Sequence, residues 1–167
     1  LIICNSKTTI GHNCWIGERC VLDSTAELTL GNNVGVGINS SIYTHVSFGD
    51  AFSGSKIRNS KNVTLEDEVW LMPTVTVQVS NIAKRAVVMP MSNVASDIKD
   101  ENTVWAGNPA TNQTARYGVP WVEPSVDFCR KRFNVLLKKY NNETRSDVSW
   151  IKSVDDLPSI DEREPSV

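Results

Sequence analysis

The chain has 167 residues, 40% of them hydrophobic and 22% charged, which is globular composition and excludes an intrinsically disordered protein. A formal charge of -2 leaves no basic footprint for nucleic acid, and no apolar run approaches the length of a membrane span. The opening LIICNSK lacks an initiator Met and starts partway into a repeat, so the sequence reads as a fragment whose missing leader says nothing about location.

A period of six runs through the first part of the chain. Ile10, Ile16 and Leu22 are each followed four residues later by Cys14, Cys20 and Ala26. Leu30, Val36 and Ile42 lead likewise to Val34, Ser40 and Val46, and Leu65 and Leu71 to Val69 and Val75, with Val77 completing that set. Ile82, Val88 and Val94 lead to Ala86, Ser92 and Ile98. Six is neither the helical nor the alternating-strand period. It suits a coil of three short strands and three turns, about eighteen residues long, stacked on the next coil so that the aliphatics form ladders inside a triangular prism.

The interruptions test this picture. Leu28-Thr29 is an insertion, an excursion runs from about His45 to Asn62, and one residue is lost between Val77 and Ile82. All three fall after the third aliphatic of a coil, hence at one corner. Three ladders follow: Ile10/Leu30/Leu65/Ile82, Ile16/Val36/Leu71/Val88 and Leu22/Ile42/Val77/Val94. The competing reading, a sandwich of ordinary alternating strands, has no reason to keep this common register. Gly11, Gly17, Gly31 and Gly37 follow an aliphatic, where the missing Cβ is expected to relieve turn strain. Lys61, in the excursion, is expected to tolerate a charge reversal.

Cys4, Cys14, Cys20 and Cys129 have no zinc-ligand spacing, and the six-residue interval of Cys14 and Cys20 marks them as small core residues of the repeat. Asn-x-Ser/Thr strings at Asn39, Asn62, Asn112 and Asn142 are read as chance. A helix is predicted at about 125–141, with Ser125 as N-cap and Asp127 in the first turn. Its apolar stripe is Val126, Cys129, Phe133, Leu136, Leu137 and Tyr140, with Lys138 and Lys139 near the end and Asn141-Asn142 as the stop. The helix is expected to cover a coil end or a neighbouring subunit. The polar stretch from Arg145 to Val167 is expected to be a tail that Trp150 and Ile151 help to dock. The division is therefore a β-helix domain, 1–112, and a C-terminal extension, 113–167.

CWIGERCVLD (14–23), LTLGNNVGVG (28–37), IYTHVSFGDAF (42–52), VTLEDEVWLMP (63–73) and WAGNPA (105–110) together resemble the hexapeptide-repeat O-acetyltransferases. The resemblance covers about residues 8 to 112 and is nearest to the colanic-acid and capsule-type enzymes of surface polysaccharide synthesis, related to the maltose/galactoside and xenobiotic acetyltransferases. It implies an all-β fold, a left-handed parallel β-helix with a C-terminal α-helix, and a cytoplasmic homotrimer. The implied reaction transfers acetyl from acetyl-CoA, as co-substrate, to a saccharide hydroxyl, with no metal and no covalent enzyme intermediate.

The family's corner-loop His matches His45, the expected general base, since a sugar hydroxyl is a poor nucleophile until its proton is removed. His12 falls in a solvent-facing slot and is expected to be bystander surface. The resemblance places Trp70, Pro73, Pro90, Ala95, Asn108 and Pro109 along the CoA path, and Asp23, Tyr43 and Asp50 on the acceptor side. Many relatives carry Asp directly after the His, whereas this chain has Val46, so the partner that orients His45 is sought in Asp50 or Asp23. Relatives' basic contacts to CoA phosphates fall here on Ser96, Thr111 and Thr114, leaving Lys84, Arg85 or Arg116 as substitutes. Trp15, Trp70 and Trp105 are expected on one outer face that mediates trimer assembly.

Two further readings compete: N-acetylation of an amino sugar nucleotide, and a non-catalytic trimeric scaffold. A γ-type carbonic anhydrase needs three His ligands per metal, and His12 and His45 are the chain's two histidines.

Overall fold

The computed structural model describes residues 1–50, 52–56 and 58–144. The chain enters on β1 (Ile2–Cys4) and then winds in coils of three short strands. The first full coil holds β2 (Thr8–Ile10), β3 (Trp15–Ile16) and β4 (Val21–Ser24), and the second β5 (Leu28–Leu30), β6 (Gly35–Val36) and β7 (Ser41–Tyr43). The excursion forms a hairpin of β8 (His45–Ser47) and β9 (Arg58–Ser60). Coiling resumes with β10 (Val63–Leu65), β11 (Trp70–Leu71) and β12 (Thr76–Gln78), followed by β13 (Val87–Val88) and β14 (Asn93–Val94). Finally β15 (Val104–Gly107) is met by an antiparallel return strand, β16 (Ala110–Asn112), before the short helix α1 (Thr114–Tyr117).

Equivalent strands of successive coils pair in parallel, giving three faces. The first face joins β2, β5 and β10, and the second runs β3–β6–β11–β13–β15 and then β16. The third runs β1–β4–β7–β12–β14. All three ladders form as the repeat predicts: Ile10, Leu30, Leu65 and Ile82 are register partners, as are Ile16, Val36, Leu71 and Val88, and Leu22, Ile42, Val77 and Val94. Two rungs lie beyond the periodicity. Ile2 stacks on Leu22, and Ile98 stacks on Ile82, so Ile98 opens a further coil where its spacing from Val94 had suggested the small slot.

Leu30, Val36, Ile42, Leu65, Leu71, Val77, Ile82 and Val88 are at most 1% exposed, and the small slots Cys20, Val34, Ser40, Val69, Val75, Ala86 and Ser92 are buried between them. The three cysteines Cys14, Cys20 and Cys129 are free thiols. Cys20 Sγ lies 3.1 Å from the Gly37 carbonyl, and Ser40 Oγ donates to the Met72 carbonyl at 3.2 Å. These two polar tips thus find backbone acceptors on the next coil.

Three expectations need correction. The glycines do not supply the left-handed turn. That conformation falls two residues later, on Asn13, Arg19, Asn33 and Asn39, with φ between 54° and 58°. What excludes a side chain is the approach of the next coil: a Cβ on Gly37 would sit 2.5 Å from the Met72 carbonyl carbon. Trp105 does not share the outer face with Trp15 and Trp70. It is the register partner of Val88 and packs against the core, extending the second ladder inward. Lys61 is not a silent surface position, because its Nζ lies 2.7 Å from Asp97 Oδ1.

Residues Leu1–Trp121 form one compact unit, and a second begins at Val122. In the second, α2 spans Val126–Thr144. The Phe128 amide donates to Ser125 Oγ at 3.1 Å, the N-cap expected, and Asp127 pairs with Lys131 at 2.8 Å. The helix runs through Asn141-Asn142 instead of stopping there, since Asn lowers helix propensity by only about half a kcal/mol and no Gly or Pro follows before Pro158. The expectations for Trp150, Ile151 and the 145–167 tail lie outside the described residues.

Candidate active site at the corner after the third face

The ladder that stacks Leu22 on Ile42 also sets Asp23 beside Tyr43 and brings it under the corner from which β8 leaves. Asp23 is 1% exposed. Its Oδ1 accepts from Thr44 Oγ1 at 3.1 Å and from the Thr25 amide at 3.2 Å, and its Oδ2 from Thr25 Oγ1 at 3.1 Å. His45 Nδ1 lies 2.9 Å from the same Oδ1. Burial would raise the Asp23 carboxyl, but the hydrogen bonds from His45, Thr25 and Thr44 outweigh it and hold the group below its ordinary value. An ionised carboxylate only accepts, so Nδ1 of the imidazole carries the hydrogen and the lone pair of the neutral ring is on Nε2.

Of the two candidate partners for His45, the structure therefore brings in Asp23. Its carboxylate is sealed behind the imidazole and not open to an acceptor. Asp50 sits in the excursion, where its side chain accepts from the Phe52 amide at 3.1 Å and the Ser53 hydroxyl at 3.3 Å. Tyr43 lines a shallow cleft of about 290 Å³ with His45, Val46, Ser47 and Gln78. On the hairpin side a larger cleft, about 420 Å³, is lined by Thr25, His45, Val46, Ser47, Arg58, Asn59 and Ser60. Gln78 and Arg58 carried no signal in the repeat. Only the register of β12 against β7, and of β9 against β8, brings them to His45.

The residues matched to the CoA path lie elsewhere on the prism. Trp70 is on the second face with its ring over Gly35, leaving no room there for a Cβ. With Trp15, Gly37, Ile38, Leu71, Met72 and Pro73 it lines an apolar cleft of about 280 Å³. Pro73 and Pro90 occupy the corner between the second and third faces, where the Met91 amide donates to the Pro73 carbonyl at 3.2 Å. Asn108 and the cis-linked Pro109 continue that corner, and Asn93 Nδ2 donates to Asn108 Oδ1 at 3.0 Å. Ala95 is exposed after Val94 at the far edge of the third face. Within one chain, then, His45 and the Asn108-Pro109 turn sit at opposite edges of the third face.

Of the three basic substitutes, Arg85 is engaged by Glu68 at 2.5 Å, and Lys84 adjoins Glu66 and Asp67 at the corner between the first and second faces. Arg116, in α1 just beyond the Asn108-Pro109 turn, lies 5.2 Å from the Tyr117 ring centroid. His12 is exposed, and its amide donates to Asn32 Oδ1. Among the described residues no group of three or more His, Cys, Asp or Glu is placed to hold a metal ion, and no helix is long and apolar enough to cross a membrane.

No family model and no curated protein sequence matches the chain. Solved structures do. A maltose O-acetyltransferase from Clostridium difficile 630 is 28% identical with a TM-score of 0.59, over 67% of this chain and 62% of its own. The polysialic acid O-acetyltransferase OatWY shares the fold at 18% identity and a TM-score of 0.62, over 82% of this chain and 66% of its own. The chain thus spans less than two thirds of the length of these enzymes. The six-residue period and the three ladders it builds accompany a likeness to the maltose O-acetyltransferase in both fold and sequence.

Proposed function

We propose that the chain is an acetyl-CoA-dependent O-acetyltransferase acting on a saccharide hydroxyl, with His45 as general base. The observation that carries this reading is the buried Asp23 holding His45 by Nδ1. That bond fixes the ring's tautomer and leaves Nε2 to accept the hydroxyl proton as the oxygen attacks. The imidazolium so formed is stabilised by Asp23 and returns the proton to the leaving thiolate. Bound acetyl-CoA would supply the activated acyl group. An amine needs less help from a base than a hydroxyl does, so the dyad favours O- over N-transfer.

The residues present fit such a co-substrate. The apolar cleft between Trp15, Ile38, Trp70 and Pro73 suits a flexible apolar arm, and Arg116 is the basic side chain nearest the Asn108-Pro109 turn in sequence. The separation of His45 from that turn across the third face supports a cyclic homotrimer, in which a neighbouring copy completes the site. A left-handed coil, a cytoplasmic location and a place in surface polysaccharide synthesis belong to the same reading.

The test is thiol release with a panel of simple sugars and sugar nucleotides. We expect acetyl-CoA to raise the melting temperature and His45→Ala to lower kcat by about 10²–10⁴ while that thermal shift persists. A chain that acetyl-CoA does not stabilise is the scaffold and not the enzyme. Unchanged turnover in the variant removes His45 from the chemistry.

A further inference from the structure

The acceptor's chemical class is written in the hairpin that carries His45. β8 and β9 pair antiparallel, with His45 opposite Ser60 and Ser47 opposite Arg58. Side chains alternate along a strand, so His45, Ser47, Arg58 and Ser60 share one face of this ribbon, while Val46 and Asn59 take the other. Arg58 stands diagonally across from His45, a spacing of about 7–8 Å between backbones that a guanidinium spans easily. Both side chains line the same cleft of about 420 Å³.

Three features bear on this cation. Among the described residues no carboxylate pairs with the Arg58 side chain, in contrast to Arg85 with Glu68, Lys61 with Asp97 and Lys131 with Asp127. Two acidic groups of this corner and its excursion are committed elsewhere: Asp23 to His45 and the two threonines, Asp50 to its own loop. The rest of the cleft wall is Val46 together with hydroxyls and an amide, from Thr25, Ser47, Ser60 and Asn59, the groups that hydrogen-bond a sugar.

We infer that Arg58 reads an anionic group on the acceptor, a carboxylate or phosphate ester borne by the saccharide whose hydroxyl is presented to His45. A guanidinium offers such a group two parallel N–H donors, and its interaction with a neutral sugar is much weaker. The inference rests on the His45 site proposed above, and it is tested separately from transfer.

Binding and turnover are measured on the full chain with three probes: a glucose-terminated oligosaccharide, its glucuronate-terminated counterpart and its 6-phosphoglucose counterpart. The unmodified chain should bind one or both acidic probes roughly tenfold more tightly than the neutral one, with the preference shrinking as salt rises. The two acidic arms separate carboxylate from phosphate. Arg58→Gln should remove most of that preference, Arg58→Lys should restore part of it, and Lys56→Gln, at the other exposed cation of the hairpin loop, should preserve it. In turnover the change should appear in KM for the acidic probe more than in kcat. Equal affinity for neutral and acidic probes overturns the inference, as does a loss in Arg58→Gln shared equally by all three. Acidic preference through Arg58 without any acetyl transfer would uphold it while removing the transferase reading, and transfer without preference would do the reverse.

Discussion

Lys61 Nζ lies 2.7 Å from Asp97 Oδ1, and the same oxygen accepts the Asn81 amide at 2.8 Å, so one carboxylate ties the end of the excursion to two later coils. The Lys61 ammonium, with the Asn81 amide, holds the Asp97 carboxyl below its ordinary value. A depressed folded-state value contributes stability above the unfolded carboxyl's range, and that contribution is lost as pH falls through the folded-state value.

Asp97→Asn should therefore lower the melting temperature at neutral pH by the equivalent of about 1 kcal/mol, discounted because both partners are about one-third exposed. The two proteins should converge as the pH is taken well below the carboxylate range. Thermal melts at several pH values measure this, and a gap that stays constant into acid would refute the assignment.

The ladders make the largest stability prediction. Val36→Asp or Leu71→Asp places an unpaired carboxylate in a core position at most 1% exposed, with a cost of about 3–5 kcal/mol. Lys56→Asp, exposed in the loop, should shift the melting temperature little. Comparable losses in both classes would mean that the inward slots are wrong.

Gly35 is the floor on which the Trp70 ring rests. Gly35→Ala should force that ring away, costing roughly 1–3 kcal/mol as overpacking and changing tryptophan fluorescence in a way that a Trp70→Phe background removes. An unperturbed emission spectrum would contradict the contact.

Asp23→Asn offers a sharper test of the dyad than removal of the ring. An amide that donates to Nδ1 would stabilise the other tautomer, putting the hydrogen on Nε2 where the base is needed. Turnover should fall by about 10²–10⁴. In the unmodified chain the rate should rise with pH, because only the neutral ring accepts a proton. A pH profile left unchanged in shape and height by the substitution would exclude Asp23 from positioning His45.

Much of the prism was legible because its period is local. Aliphatics six apart fix a face, and three interruptions at one corner keep the faces aligned. The choice of Asp23 over Asp50 was not legible there; it rests on the bond to His45 that the pairing of β4 with β7 allows. The end of the prism was less legible. Ile98 follows Val94 by four residues instead of six, which hides a further coil, and a step of seven from Ile98 then brings Trp105 onto Val88. The hairpin cleft was hidden for another reason: Arg58 comes to line it with His45 through antiparallel pairing inside an excursion that has no period to read.

At the far end of the second face, β16 runs against the grain of every strand before it in that face. A parallel solenoid otherwise finishes in a row of unsatisfied amides and carbonyls that invites another chain to zip on in the same sense. By doubling back through Asn108-Pro109, the chain fills that row with its own backbone. The Gln113 amide then donates to the Val104 carbonyl, and the Val104 amide donates to Thr114 Oγ1. The turn is thus a terminator against fibrillar stacking, and substitutions there are expected to cost solubility.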